Sequence, residues 1–132
     1  AKGYGIYIPT PRSTEYIVYA NVSSDIRFDE DMTNCSEVYQ TQQNPLTTDC
    51  VVERVLLTDE NSSLFINNIK NARTVDQNID SDVSINFTPP DPITTIKDST
   101  SITYVKIEIV LGNSDGVRRS ILVNLSGLID IQ

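Results

Sequence analysis

Apolar and polar residues alternate along most of this chain, and this period of two limits its fold more than any other feature. The clearest run lies near the C-terminus, where Val105, Ile107, Ile109 and Leu111 are separated by single residues. Successive side chains of a β-strand point to opposite faces of the sheet, so the pattern predicts strands with one buried face. No stretch shows the spacing of a long amphipathic helix. The sequence therefore predicts a mostly β fold, an antiparallel two-sheet sandwich or a partly open barrel of about eight short strands.

Proline and glycine clusters divide this pattern into separate strands. Prolines follow the first strand and a later one, and a proline cannot continue a hydrogen-bonded ladder. In the polar connection 71–81, we expect Ile79 to enter the core. The predicted strands cover residues 3–8, 15–20, 51–57, 64–69, 83–87, 105–111, 119–125 and 128–131.

The connections indicate how some of these strands pair. The short link after the first strand favours a hairpin with the second. Near the C-terminus, the glycine-containing turns at 112–116 and 126–127 favour an antiparallel meander of the last three strands. Residues 51–57 are apolar on both faces apart from Glu53 and Arg54, which is typical of a central strand.

Length and charge exclude several classes of function. A chain of 132 residues fits a single domain, 1–132, with one core. The net charge is −8, and the ten basic residues include only one adjacent pair, Arg118-Arg119. Binding to nucleic acid or to an anionic membrane needs clustered basic residues and is disfavoured. There is no histidine, so the usual general base at neutral pH is missing, and a Ser-His-Asp or Cys-His site cannot be built from this chain alone.

The only two cysteines, Cys35 and Cys50, bracket a polar, turn-rich segment. This favours a disulfide formed in an oxidising compartment, and two reduced thiols are the alternative. The bond would cross-link the middle of a long acidic segment, residues 22–50, to its end, and this segment carries six acidic residues and one basic residue. Connections of this length inside a compact domain are usually functional or held by a cross-link. A short helix is possible at residues 37–42.

Other residues offer weaker signals for ligand binding. Asp29 and Asp31 could contribute oxygen ligands to calcium, but the spacing lacks the glycine and glutamate of an EF-hand loop, and a solvated acidic loop is the alternative. The tyrosines of the first hairpin could form an exposed ladder, although we expect half of them to be buried. Five glycosylation sequons occur, at Asn21, Asn34, Asn61, Asn86 and Asn124. Two of them, Asn86 and Asn124, lie in predicted strands, where a glycan is poorly accommodated.

Four segments, taken in order, resemble the globular head of type IV pilin-like proteins, in particular the minor pilins and the H-type pseudopilins of type II secretion. The first is the opening strand, residues 3–8, with the strand at 16–20. The second is the acidic loop 25–31, and the third is Ile85-Asn86-Phe87 followed by the prolines at 89–92. The fourth is the closing pair of strands around Ser126-Gly127.

The resemblance implies a filament subunit and not an enzyme, and we expect no cofactor. Proteins of this group carry an N-terminal hydrophobic helix that anchors them in the inner membrane and later packs into a filament. That helix is absent from this chain, so we expect it upstream of Ala1. The head would face the periplasm or the exterior and contact other pilin-like subunits, a secreted protein or a surface ligand.

Two other interpretations remain open. An extracellular immunoglobulin-like adhesin or surface module would share the short strands and the acidity. A hydrolase that uses two carboxylates is the third, and it would need a cleft lined by two acids. We rank the pilin-like head first, then the adhesin module, then the enzyme.

Overall fold

The structure is a computed structural model that describes residues 3–10, 12–21, 35, 49–59, 63–72, 77–88, 93–100, 102–125 and 129–131. Within these ranges the protein is mostly β, as the alternating pattern predicts. A 3-10 turn at Leu57–Asp59 follows the third strand. The strands, numbered in chain order, are β1 (Gly3–Ile8), β2 (Glu15–Asn21), β3 (Cys50–Leu56), β4 (Phe65–Asn71), β5 (Gln77–Asn78), β6 (Val83–Thr88), β7 (Ile93–Asp98), β8 (Thr103–Tyr104), β9 (Lys106–Gly112), β10 (Arg118–Asn124) and β11 (Ile129–Ile131).

The described strands form two antiparallel sheets. Sheet A has the order β3-β2-β1-β6-β7-β8, and sheet B has the order β11-β10-β9-β4-β5. The predicted hairpin is confirmed as β1 paired with β2, and the predicted meander is confirmed as β9, β10 and β11. The core between the sheets includes Ile79, as expected from the sequence. Its buried members are Ile8, Ile66, Ile69, Ile79, Val83, Ile85, Ile96, Ile107, Ile109 and Val123.

Strand β3 lies at an edge of the described sheet A, so the prediction of a central strand over 51–57 is wrong. Cys50 and Val51 are buried, but Glu53 and Arg54 are exposed. A bulge interrupts the pairing of β3 with β2, so the register changes between the buried start of β3 and its exposed remainder. The apolar residues on both faces therefore reflect burial at one end of an irregular edge strand.

Strand β7 was not predicted from the sequence. It pairs with β6 along its whole length and with β8 at its end. The prolines at 89–92 end β6, and the β-branched run Ile93-Thr94-Thr95-Ile96 directly after them has high strand propensity. The same prolines therefore separate two neighbouring strands.

On the face of sheet A that points away from sheet B, a tyrosine lies across a glycine. Tyr19, Gly5 and Asn86 are neighbours on β2, β1 and β6. The ring of Tyr19 lies over Gly5, and a β-carbon at Gly5 would overlap that ring. The Tyr19 hydroxyl donates a hydrogen bond to Oδ1 of Asn86 at 3.1 Å. Tyr19 therefore connects three strands, and it belongs to a second buried cluster with Tyr7, Ile17 and Val51.

The predicted disulfide between Cys35 and Cys50 is present, with the Cα atoms 4.9 Å apart. Cys50 is the first residue of β3 and is fully buried, and Cys35 packs against Cys50 and Ala20. The bond therefore joins Cys35 to the first residue of β3, at the edge of the described sheet A. The helix expected at 37–42 lies outside the described residues.

The carboxylate of Asp98 organises the hairpin between β7 and β8. It accepts hydrogen bonds from the hydroxyls of Thr100 and Tyr104, both at 2.6 Å, and from the backbone amides of Thr100 and Ile102. Burial raises the pKa of this carboxyl, but the hydrogen bonds together outweigh burial and hold the pKa below its usual value. Burial and the hydrogen bond to Asp98 raise the pKa of Tyr104 above its usual range.

Replacing Asp98 with asparagine is expected to lower the free energy of unfolding at neutral pH by about 1–3 kcal/mol, because a charged hydrogen-bond acceptor is lost. The folded protein lowers the pKa of Asp98, so its contribution is complete above the unfolded pKa of about 3.9. The contribution is lost as the pH falls through the folded pKa. Urea unfolding at a series of pH values should therefore show wild type and variant converging in acid.

The matched control is Asp115→Asn, which removes the same charge from an exposed turn. It is expected to change the free energy of unfolding by less than about 0.5 kcal/mol. A constant difference between wild type and Asp98→Asn at every pH would contradict the assigned role of Asp98.

Candidate functional site: an apolar groove between the sheets

An apolar groove of about 250 Å³ lies between the inner faces of the two sheets. Sheet A contributes side chains from β1, β2 and β6, and sheet B contributes side chains from β4, β9, β10 and β11. The 3-10 turn after β3 adds Leu57. The residues that line it are Ile6, Ile8, Tyr16, Leu57, Ile66, Ile85, Phe87, Ile109, Leu111, Ile121, Val123 and Ile129.

The groove continues onto exposed apolar side chains of the edge strand β11. Ile129 pairs with Val123 and Ile131 pairs with Ile121, so both β11 isoleucines project from the face of sheet B that lines the groove. Ile129 is 55% exposed and Ile131 is 74% exposed. Isoleucine is usually buried, and contiguous exposed apolar surface marks sites that contact other molecules.

This arrangement suits the binding of apolar side chains from another protein. The lining is aliphatic and aromatic, and burying such surface against a partner is favourable by roughly 25 cal/mol per Å². Strand β11 is also the edge of the described sheet B, so its outer backbone groups can pair with an added strand. The groove therefore fits a protein partner better than a small polar substrate.

The sequence offers few candidate residues for metal binding or catalysis, and the structure describes only some of them. Asp29 and Asp31, the calcium candidates, lie outside the described residues. Within the described ranges, no group of three or more His, Cys, Asp or Glu side chains is arranged to hold a metal ion. Cys35 and Cys50 are joined to each other as a disulfide.

The tyrosines of the first hairpin do not form an exposed ladder. Tyr7 and Tyr19 are buried, Tyr16 packs against the core between the sheets, and Tyr4 is exposed. This division agrees with the expectation that half of them are buried. Asn86, the acceptor of one sequon, is fully buried and hydrogen-bonded, so its side chain is inaccessible in the folded protein.

Neither the groove nor a polar pocket beside β4 was predicted from the sequence. The groove depends on how far the two sheets separate, which no local pattern reports. The polar pocket had a local signal, because Asn67 and Asn68 stand next to each other inside a strand and asparagine is depleted in strands.

The described part of the chain contains no helix that is both long enough and apolar enough to cross a bilayer. Comparisons with known proteins do not assign the chain to a family. No protein-family model, no curated protein and no solved structure matches it.

Proposed function

We propose that this protein is the globular head of a minor pilin or pseudopilin, a subunit of a type IV pilus or a type II secretion filament. The observation that carries the proposal is the apolar groove and its exposed edge strand β11, which together make a surface suited to a protein partner. The resemblance of four ordered sequence segments to pilin-like heads supports the same function. The head would lie in the periplasm or outside the cell, anchored through a helix upstream of Ala1.

In this proposal, the groove binds a different pilin-like subunit of the same filament. A second copy of this chain is a poor occupant, because two heads of net charge −8 repel each other at low ionic strength. A sister subunit with a neutral or basic contact face would avoid this repulsion. Apolar contact with β10 and β11 would then supply affinity, and charge would select the neighbour.

An extracellular adhesin module is the second candidate. In an immunoglobulin constant domain, the third strand crosses to the second sheet. Here β1, β2 and β3 stay together in sheet A, and the crossing comes only at β4. The described strand order therefore departs from the immunoglobulin pattern, which is why the adhesin ranks second.

The proposal predicts that the protein is recovered with surface filaments and that the groove is needed for this. Cells that make the Ile129→Asn variant should release filaments containing at least several-fold less of the protein than wild-type cells. The measurement is quantitative immunoblotting of sheared filaments against whole cells. Ile102→Asn is the matched control, because Ile102 is also 55% exposed but lies beside β8, away from the groove.

Two results would overturn this proposal. The first is absence of the wild-type protein from filament fractions, together with no hydrophobic segment encoded upstream of Ala1. The second is equal recovery of the Ile129→Asn and Ile102→Asn variants, which would remove the groove from the contact surface.

A further inference from the structure

We propose that the polar pocket beside β4 binds a neutral saccharide. This pocket has a volume of about 350 Å³, at the lower end of the roughly 300–1,000 Å³ typical of small-molecule sites. None of its residues lines the apolar groove, and the inference does not depend on the proposed function. The residues that line the pocket are Arg12, Asn67, Asn68, Asn78, Ile79 and Asp80.

A β-bulge in β4 forms one wall of the pocket. Ile66 pairs with Leu111 and Asn68 pairs with Val110, which leaves Asn67 as an extra residue without a partner on β9. Consecutive residues of a regular strand point to opposite faces, but a bulge redirects one of them. Here it brings Asn67 and Asn68 together on the pocket side.

Three asparagine side chains form a directed chain of hydrogen bonds along this wall. Nδ2 of Asn67 donates to Oδ1 of Asn68 at 2.9 Å, and Nδ2 of Asn68 donates to Oδ1 of Asn78 at 3.1 Å. Each bond orients the next amide. Within the described part of the chain, Oδ1 of Asn67 is left as an acceptor and Nδ2 of Asn78 as a donor.

Arg12 is held beside this wall in a rare backbone conformation. Its φ is 69°, in the left-handed region that residues other than glycine seldom adopt, and such strain concentrates at binding sites. The next two residues are tied down, because the carbonyl groups of Ser13 and Thr14 accept hydrogen bonds from the amides of Ile66 and Leu57, each at 2.8 Å. The guanidinium of Arg12 lies 5.9 Å from the ring centre of Phe65.

The charges of the pocket favour a neutral ligand. Arg12 and Asp80 both line it, and neither belongs to the one ion pair found among the described residues, Arg54 with Glu15. One positive and one negative side chain leave the pocket with no net charge to attract an anion or a cation, and calcium, which needs six to eight oxygen ligands, would find a single carboxylate there.

Neighbouring hydroxyl groups of a sugar match the remaining donors and acceptors. Each hydroxyl can donate to the carboxylate or to a free amide oxygen while it accepts from an amide or from the guanidinium. An extended peptide fits less well, because β5 has two residues and offers little backbone to pair with. The one apolar side chain of the lining, Ile79, is already buried in the core.

Nuclear magnetic resonance of ¹⁵N-labelled protein tests this proposal. The probes are the methyl glycosides of mannose, glucose, galactose and N-acetylglucosamine, each added stepwise. For at least one of them, we expect the side-chain amide signals of Asn67, Asn68 and Asn78 and the Nε signal of Arg12 to shift together and to saturate.

Two variants and a matched control separate binding from folding. Asn68→Ala breaks the amide chain and should raise the Kd for that glycoside about tenfold. Asp80→Asn removes the carboxylate from an exposed side chain, so the fold is retained, and it should also weaken binding. Gln77→Ala removes an exposed amide from β5, the strand that carries Asn78, at a position outside the pocket, and should leave the Kd within about twofold.

Three results would overturn the proposal. One is the absence of shifts at these side chains with all four glycosides. Another is a larger response to calcium chloride or to inorganic phosphate than to any glycoside, which would make this an ion site. The third is equal weakening by Asp80→Asn and Gln77→Ala, which would place the sugar elsewhere.

Discussion

Replacing Gly5 with alanine is expected to lower the free energy of unfolding by about 2–4 kcal/mol. The added β-carbon would overlap the ring of Tyr19, which therefore has to move. Overpacking of this kind costs about 1–3 kcal/mol. Moving the ring also breaks the hydrogen bond from Tyr19 to Asn86, which contributes about another 1 kcal/mol. Urea unfolding followed by circular dichroism measures the difference.

A double-mutant cycle tests this cause directly. In a Tyr19→Ala background the ring is gone, so Gly5→Ala should cost less than about 1 kcal/mol, and the two substitutions should be strongly non-additive. Gly116→Ala is the control for a glycine with no neighbouring atoms, where only its positive φ of 80° opposes alanine. It should cost about 1–2 kcal/mol. Additive effects at positions 5 and 19 would show that the ring is not what excludes a side chain from Gly5.

Removing the disulfide by replacing Cys35 and Cys50 with alanine is expected to lower the free energy of unfolding by about 3 kcal/mol. The bond closes a loop with a sequence separation of 15 residues, and the unfolded chain gains the corresponding freedom when the bond is absent. Alanine is preferred to serine because Cys50 is fully buried and a hydroxyl there would need a partner. Chemical denaturation under oxidising conditions provides the measurement.

Reduction of the wild-type protein supplies the matched experiment. A reductant should destabilise the wild type by a similar amount and should leave the double alanine variant unchanged. If the unfolding midpoint of the wild type were the same with and without reductant, the disulfide would contribute nothing to stability.

Local pattern was sufficient for the first hairpin and for the C-terminal meander. The alternation from Ile107 to Leu111 and the turn at 112–116 predicted β9 and its pairing with β10, because a short turn leaves only one way to form that pair. The pairing of Cys35 with Cys50 was also predicted, since the sequence contains no other cysteine, and the structure shows that the bond forms. In contrast, the apolar residues on both faces over 51–57 predicted a central strand, but β3 lies at an edge of the described sheet A.

Residues of the two candidate sites illustrate what local pattern does not contain. The exposure of Ile129 and Ile131 depends on where sheet A ends relative to β11, which is a relation between segments far apart in the chain. The bulge at Asn67 is visible only from the register of β4 against β9. From the sequence, Gly5 is a glycine that weakens a strand. Only the structure shows that the ring of Tyr19 lies over it and leaves no room for a side chain.

For this protein, the sequence alone determined most of the strands and the local turns, because side-chain period and turn residues act over short distances. It also determined which two cysteines could pair, because it contains only two. The tertiary structure decided the order of strands within the sheets, the groove between them and the polar pocket beside β4. These features arise when distant segments pair and pack, and the energy of that packing is shared among residues that no short window of sequence brings together.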